Sequence, residues 1–118
     1  MIEKIIFDFL KTILQEPVFM EVPDKAPQTP PSTFVLIEKT SSAQSDFINT
    51  ATIAIQSYAP TLYEAAALNE RVKDAMLNDA TGLATQNTVY GVDLNSDYNY
   101  TDTTKKVYRY QAIFDIYF

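Results

Sequence analysis

The chain has 118 residues, nine Lys and Arg against fifteen Asp and Glu for a formal net charge of −6, and neither cysteine nor histidine. That length suits one domain with one core, and the missing Cys and His exclude disulfides, zinc sites and histidine-based triads while taking away the commonest general base. An acidic chain also repels the phosphate backbone, which argues against specific nucleic-acid binding.

In residues 2–15, Ile2, Ile5, Ile6, Phe9, Leu10 and Ile13 recur at helical spacing, with Glu3, Lys4, Lys11 and Gln15 lying elsewhere. This predicts an amphipathic helix that Pro17 stops. The charges at Glu3, Lys4, Asp8 and Lys11 leave no uninterrupted apolar run, and nothing approaches the ~20 apolar residues of a membrane span. The expectation is a soluble intracellular protein with no membrane partner. VFMEV, residues 18–22, reads as a short strand, and PDKAPQTPPS, residues 23–32, as a proline-rich extended loop.

FVLIEKT (34–40) and DFINTATIAIQSYA (46–59) read as two strands joined by the polar run Ser41–Ser45. In the second, Ala51, Ile53 and Ile55 share one face while Thr50, Thr52, Ala54 and Gln56 share the other, the alternation of a half-buried antiparallel strand. The pair predicts a long hairpin whose tip is Ser41 to Asp46. From 60 to 77 the period changes to helical, with Leu62, Ala65, Leu68, Val72 and Ala75 or Met76 as the apolar stripe. Thr61 and Glu64 have capping-box spacing, with Pro60 as an alternative first helical residue. A breaker-rich loop, 78–87, precedes a strand at 88–94 with Gly91 as a candidate bulge, and the turn region NSDYNYTDTTKK follows.

The closing segment alternates without interruption. Tyr108, Tyr110, Ala112, Phe114, Ile116 and Phe118 form one set, a core face. Val107, Arg109, Gln111, Ile113, Asp115 and Tyr117 form the other, which is mixed and only partly wet. The order helix, three strands, helix, two strands implies an α+β fold. Its sheet would be antiparallel, with mixed pairing left open, of about five strands, and two main helices would pack on one face.

Two local motifs invite chemistry. Asp93, Asn95, Asp97 and Asn99 match the first half of a calcium loop, but Tyr98 stands where the sharp turn needs Gly and Thr104 where a bidentate Glu is needed. Catalysis would rest on carboxylates such as Asp93, Asp97, Asp102 or Asp115, and no spacing forces two of them together. The two glycines form no phosphate-cradling pattern. The tyrosines are more telling. Tyr108 and Tyr110 are in phase with Phe114 and read as core, whereas Tyr98, Tyr100 and Tyr117 suit a protein interface, each able to bury about 150–250 Å².

Taken together, MIEKIIFDFLKTIL, EVPDKAPQTPPSTFVLIEKT, TATIAIQSYAPTLYEAAALNERVKDAM and LNSDYNYTDTTKKVYRYQAIFDIYF resemble small tail-terminator or head–tail joining proteins of phages and prophages of Gram-positive bacteria. The likeness lies in the order: a proline-bearing approach to a strand ending in Glu38-Lys39-Thr40, a long hairpin, an alanine-rich helix and a tyrosine-punctuated final strand. A departure is SSAQS at the hairpin, where a glycine-rich turn would be expected.

The resemblance implies a non-enzymatic virion structural protein, present in the host cytoplasm during assembly and needing no cofactor or metal. Such proteins form a homo-oligomeric ring, usually of six subunits, that caps the tail tube and joins it to the head connector. Its partners would be its own copies, the tail tube protein and the connector or stopper protein. The expected interface residues are Ser41, Ser42, Gln44 and Asp46 of the hairpin, Tyr98 and Tyr100, and Arg109, Gln111, Ile113, Asp115 and Tyr117 of the last strand. A neck completion or stopper protein is the alternative within the class. Outside it stands a small tyrosine-rich module binding carbohydrate or a host protein.

Overall fold

The computed structural model describes residues 1–21, 33–45, 47–85 and 88–118. The proline-rich segment 23–32, Val22 and Asp46 lie outside the described residues. The elements, in chain order, are α1 (Ile2–Ile13), β1 (Val18–Phe19), β2 (Phe34–Ser45), β3 (Ile48–Ala59), α2 (Leu62–Leu77), a 3-10 turn (Leu83–Thr85), β4 (Gly91–Asn99) and β5 (Tyr108–Tyr117). They build an α+β fold around a five-stranded mixed sheet of order β1-β2-β3-β5-β4. The β1–β2 pair is parallel and the other three are antiparallel.

Helix α1 forms because one stripe of it, Ile2, Ile6, Phe9 and Leu10, is buried, each such side chain stabilising by about 1.5–3 kcal/mol. Lys4 and Asp8 add an ion pair one turn apart on its wet side. It ends at Leu14, whose backbone is extended, and Pro17 then steers the chain to the sheet, its carbonyl accepting the Val35 N–H at 2.9 Å. Helix α2 starts with Thr61 as N-cap: its hydroxyl accepts the Glu64 N–H at 3.2 Å and donates to the Glu64 carboxylate at 3.1 Å. Pro60 therefore precedes the cap and is not helical.

Both helices lie on one side of the sheet. The core beneath them unites Ile6, Leu10, Leu68, Val72 and Met76 with Val35, Ile37, Ala51, Ile53, Ile55, Ala112, Phe114 and Ile116. Those strand residues are alternate positions of β2, β3 and β5; of the set expected to face a core on β5, Ala112, Phe114 and Ile116 do so and Phe118 packs against them, whereas Tyr108 and Tyr110, expected as core, are half-buried outside it. Strand β5 lies between β3 and β4, and its end is tied down by Phe118, which exchanges backbone hydrogen bonds with Asn49, each 2.8 Å.

Four expectations change. The run Ser41–Ser45 is strand, not turn: Ser41 lies opposite Thr52, Ala43 opposite Thr50 and Gln44 opposite Asn49. The backbone ladder carries this arm, which needs no apolar side chains to form. The chain reverses between Ser45 and Ile48, where Phe47 has a left-handed φ of 72° and is 97% exposed. Strand β1 is only two residues long. Strand β4 begins at Gly91 and takes in Asn95–Asn99, the first part of the expected turn region. Gly91 is not a bulge, since the register shifts instead at Asn95, between Leu94 and Ser96, and again in β2 at Thr40.

Candidate functional site on the open sheet face

The sheet has a second face, away from the helices, and strand alternation decides what stands on it. From β5 it receives Arg109, Gln111, Ile113, Asp115 and Tyr117, opposite Tyr58, Gln56, Ala54, Thr52 and Thr50 of β3. On the other flank, Gly91, Asp93, Ser96 and Tyr98 of β4 lie opposite Tyr117, Asp115, Ile113 and Gln111. The bulge at Asn95 keeps Tyr98 in this phase: without the extra residue it would point to the helices.

A chain of polar side chains crosses three strands of this face. The Tyr58 hydroxyl donates to Oε1 of Gln56 at 2.7 Å, and Nε2 of Gln56 donates to Oε1 of Gln111 at 2.8 Å. Nε2 of Gln111 in turn donates to the Tyr98 hydroxyl. Arg109 continues the row, its Nη1 donating to the Tyr58 hydroxyl at 3.2 Å and its Nε to the Tyr100 carbonyl at 2.7 Å. The guanidinium also lies 4.4 Å from the centroid of the Tyr100 ring and 5.7 Å from that of Tyr58, favourable cation–π placements. Tyr58 stacks on Phe34 at 4.4 Å.

Acidic groups occupy the far end. Asp93 and Asp115 stand directly opposite each other on β4 and β5, an arrangement of like charges that is destabilising unless partnered. Partners are present. Asp115 accepts from the Thr52 hydroxyl at 3.0 Å and from Asn95 Nδ2 at 3.1 Å. The Tyr117 phenol lies close to Asp93, and that carboxylate, with desolvation and the charge of Asp115, raises the phenol above its ordinary pKa. The face thus has a cationic aromatic end at Arg109 and an anionic end at Asp93 and Asp115.

Of the expected interface residues, Tyr98, Tyr100, Arg109, Gln111, Ile113, Asp115 and Tyr117 come together here, with Tyr98 and Tyr100 each 41% exposed. Of the described hairpin residues only Ser41 is in phase with this face, opposite Thr52 and level with Asp115 and Asp93 at its acidic end. Ser42 and Gln44 line a separate cleft of about 410 Å³ beside Glu3, Lys39 and Asn49. There the Lys39 ammonium lies 3.8 Å from one Glu3 oxygen, while the other is buried without a hydrogen-bond partner among the described residues. Asp46 lies outside the described residues.

Asp93 to Asn99 is strand, so its oxygens do not converge as a calcium loop requires. Asp93 sits on the open face, whereas Asp97 turns toward α2, 2.6 Å from the Lys73 ammonium. Among the described residues no cluster of three or more acidic side chains can hold a metal ion, and no helix is long and apolar enough to cross a membrane. Gln56 and Tyr58, which organise the row, were not singled out by sequence reasoning. The available signal was phase, since Gln56 alternates with Thr50, Thr52 and Ala54. Compared with protein-family models and with curated proteins, the chain matches none.

Proposed function

We propose that the chain is a phage structural protein of the head–tail junction, a tail-terminator subunit whose copies form a ring that caps the tail tube and meets the head connector. It acts in the virion, reached from the host cytoplasm during assembly. The observation that carries this reading is the helix-free face, on which Arg109, Gln111, Tyr58, Tyr98 and Tyr100 are held in place by bonds to one another. A surface fixed before contact loses little side-chain entropy on association, and Tyr and Arg are residue types enriched where proteins meet. The area suits a protein neighbour better than a small ligand: a standard interface takes ~800 Å² per partner, and this face spans four strands and both polar ends. Net charge of −6 also fits a conduit that lets DNA slide without sticking.

Electron microscopy of the purified protein, alone and mixed with tail tubes of the encoding phage, tests the reading. Closed rings, or caps at one end of each tube, are expected. A chain that stays monomeric in both settings and leaves tube ends bare overturns it.

A further inference from the structure

Among the described residues the sheet has two bare edges that match each other. On its outer side β2 is paired only at Val35 and Leu36, so among the described residues Ile37–Ser45 runs unpaired. At the other margin, no described strand pairs with the outer side of β4, Gly91–Asn99. The two free stretches are of equal length. Unpaired strand edges are templates for another chain, and proteins ordinarily blunt or cover them.

Direction and height also agree. Reading across the ladder, Ser41 is level with Thr52, Asp115 and Asp93, while Lys39 is level with Ile53, Phe114 and Leu94. The strands β2, β3, β5 and β4 alternate in direction, so β4 of an identical copy laid beside β2 in the same orientation is antiparallel to it. Both edges carry their bulge at nearly the same level, Thr40 just above Lys39 and Asn95 just below Leu94. They therefore bend at one height. An exposed aromatic flanks each edge at the same end of the sheet, Phe47 at 97% and Tyr90 at 74% exposure.

We infer that copies of this chain join head to tail, the β2 edge Ile37–Ala43 of one pairing antiparallel with the β4 edge Gly91–Asp97 of the next, with Phe47 packing beside Tyr90. The contact is heterologous, so it generates a ring where the rotation closes. It leaves the open face free for a different protein. This inference deepens the ring reading above by assigning the subunit contact, and fails separately from it.

The chain has no cysteine, so introduced thiols report cleanly. Ser41→Cys and Asp93→Cys in one chain place thiols at equal height on the two edges. Within a chain these lie three strand spacings apart, about 14 Å, beyond disulfide reach. Mild oxidation should yield a ladder of covalent oligomers from the double variant and no ladder from either single one. In the same protein, Phe47→Gly, which relieves the left-handed backbone, should leave the fold intact and weaken association at least tenfold by sedimentation. A double variant that gives no ladder while the parent protein forms rings overturns the edge pairing and leaves the ring reading standing. A parent protein that is monomeric alone and on tail tubes overturns both.

Discussion

Gln56 and Gln111 face each other across β3 and β5, one amide donating to the other at 2.8 Å, on a side of the sheet that no described helix covers. At 7% and 8% exposure both are nearly as dry as core residues, because Tyr58, Tyr98 and Arg109 crowd around them. Two buried amides are tolerable only while their polar atoms are bonded, and this pair is the centre of a row that satisfies them.

Replacing Gln111 by leucine removes the acceptor for Gln56 and the donor to Tyr98. Denaturant unfolding should show a loss of about 1–3 kcal/mol, the penalty for leaving Gln56 unpaired. Replacing both glutamines by leucine should recover much of that loss, since removing both partners leaves no orphan. A double variant as unstable as the sum of the two single ones would show that the pair is not coupled.

Much of this fold was legible because two periods are hard to counterfeit. The stripe Ile2, Ile6, Phe9, Leu10 and the alternation Ala112, Phe114, Ile116 each mark a buried face whatever the tertiary context. Thr61 and Glu64 mark a helix start for a local reason. The hairpin arm was illegible because the side chains of Ser41–Gln44 are exposed on both sides, so nothing in them separates strand from turn. The bulge at Asn95 is equally silent, yet it decides that Tyr98 reaches the open face. Gln111 was visible by phase, but its partner Gln56 depends on the β3–β5 register, and register is not written in one strand.

Asp97 joins α2 to β4. Its Oδ2 is 2.6 Å from the Lys73 ammonium and accepts from Asn69 Nδ2 at 3.1 Å. Glu70 lies 2.8 Å from the same ammonium, and together the bonds to Asp97 and Glu70 raise the Lys73 pKa. Asp97→Ala should cost about 1–3 kcal/mol, chiefly by stranding Asn69, which is fully buried. The sign for Lys73 follows from a raised folded pKa. Its contribution is complete below the unfolded value of about 10.4 and is lost as pH rises through the higher folded value. Thermal unfolding at pH 7 and pH 11 should therefore show a smaller effect of Asp97→Ala at pH 11.

Glu16 and Arg71 tie the segment after α1 to α2, with one guanidinium nitrogen 3.0 Å from a carboxylate oxygen. The hydrogen bond to Arg71 is the main reason the Glu16 pKa is lowered. A depressed carboxylate stabilises above its unfolded value, about pH 4.3, and loses that contribution as pH falls through the lower folded value. Because Arg71 is half exposed, the effect is about 0.5–1 kcal/mol. Arg71→Gln should lower stability by that amount at pH 7 and by little at pH 2.5, as read from urea titrations. Equal losses at both pH values would exclude the ion pair as the cause.

Gly82 follows α2 at a place with no room for a side chain. A Cβ there would stand 2.3 Å from the Asn78 carbonyl oxygen and 2.8 Å from the Asn78 nitrogen. Both are backbone atoms, fixed in part by the 2.7 Å hydrogen bond from Gly82 N–H to that same carbonyl. Gly82→Ala must therefore displace the loop that carries buried Leu83, at about 1–3 kcal/mol, and the melting temperature should fall by several degrees. Gly91 offers the contrast: its Cβ would meet only the Tyr117 ring edge, at 3.4 Å. Gly91→Ala should change stability far less, and an equal fall for both would point to backbone entropy as the common cause in place of the Asn78 contact.

Ile113 and Tyr117 test whether the open face is there for folding or for association. Both are half-buried on the face away from the helices, outside the core that unites α1, α2 and the sheet. Changing both to lysine places cations near Asp93 and Asp115, which lie opposite each other across the β4–β5 pair on the same face. Local charge balance is thereby improved, so no large folding penalty is expected, and surface changes of this kind usually stay within about 0.5 kcal/mol each. If the face meets a protein neighbour, the same change puts two strongly hydrated cations in place of Ile113 and Tyr117 at the contact and should abolish binding to tail tubes. The two readouts separate the roles: circular dichroism and melting temperature close to those of the parent, together with loss of tube capping, fit an association surface. A collapsed melting transition would instead place these two side chains among the groups that hold the domain together.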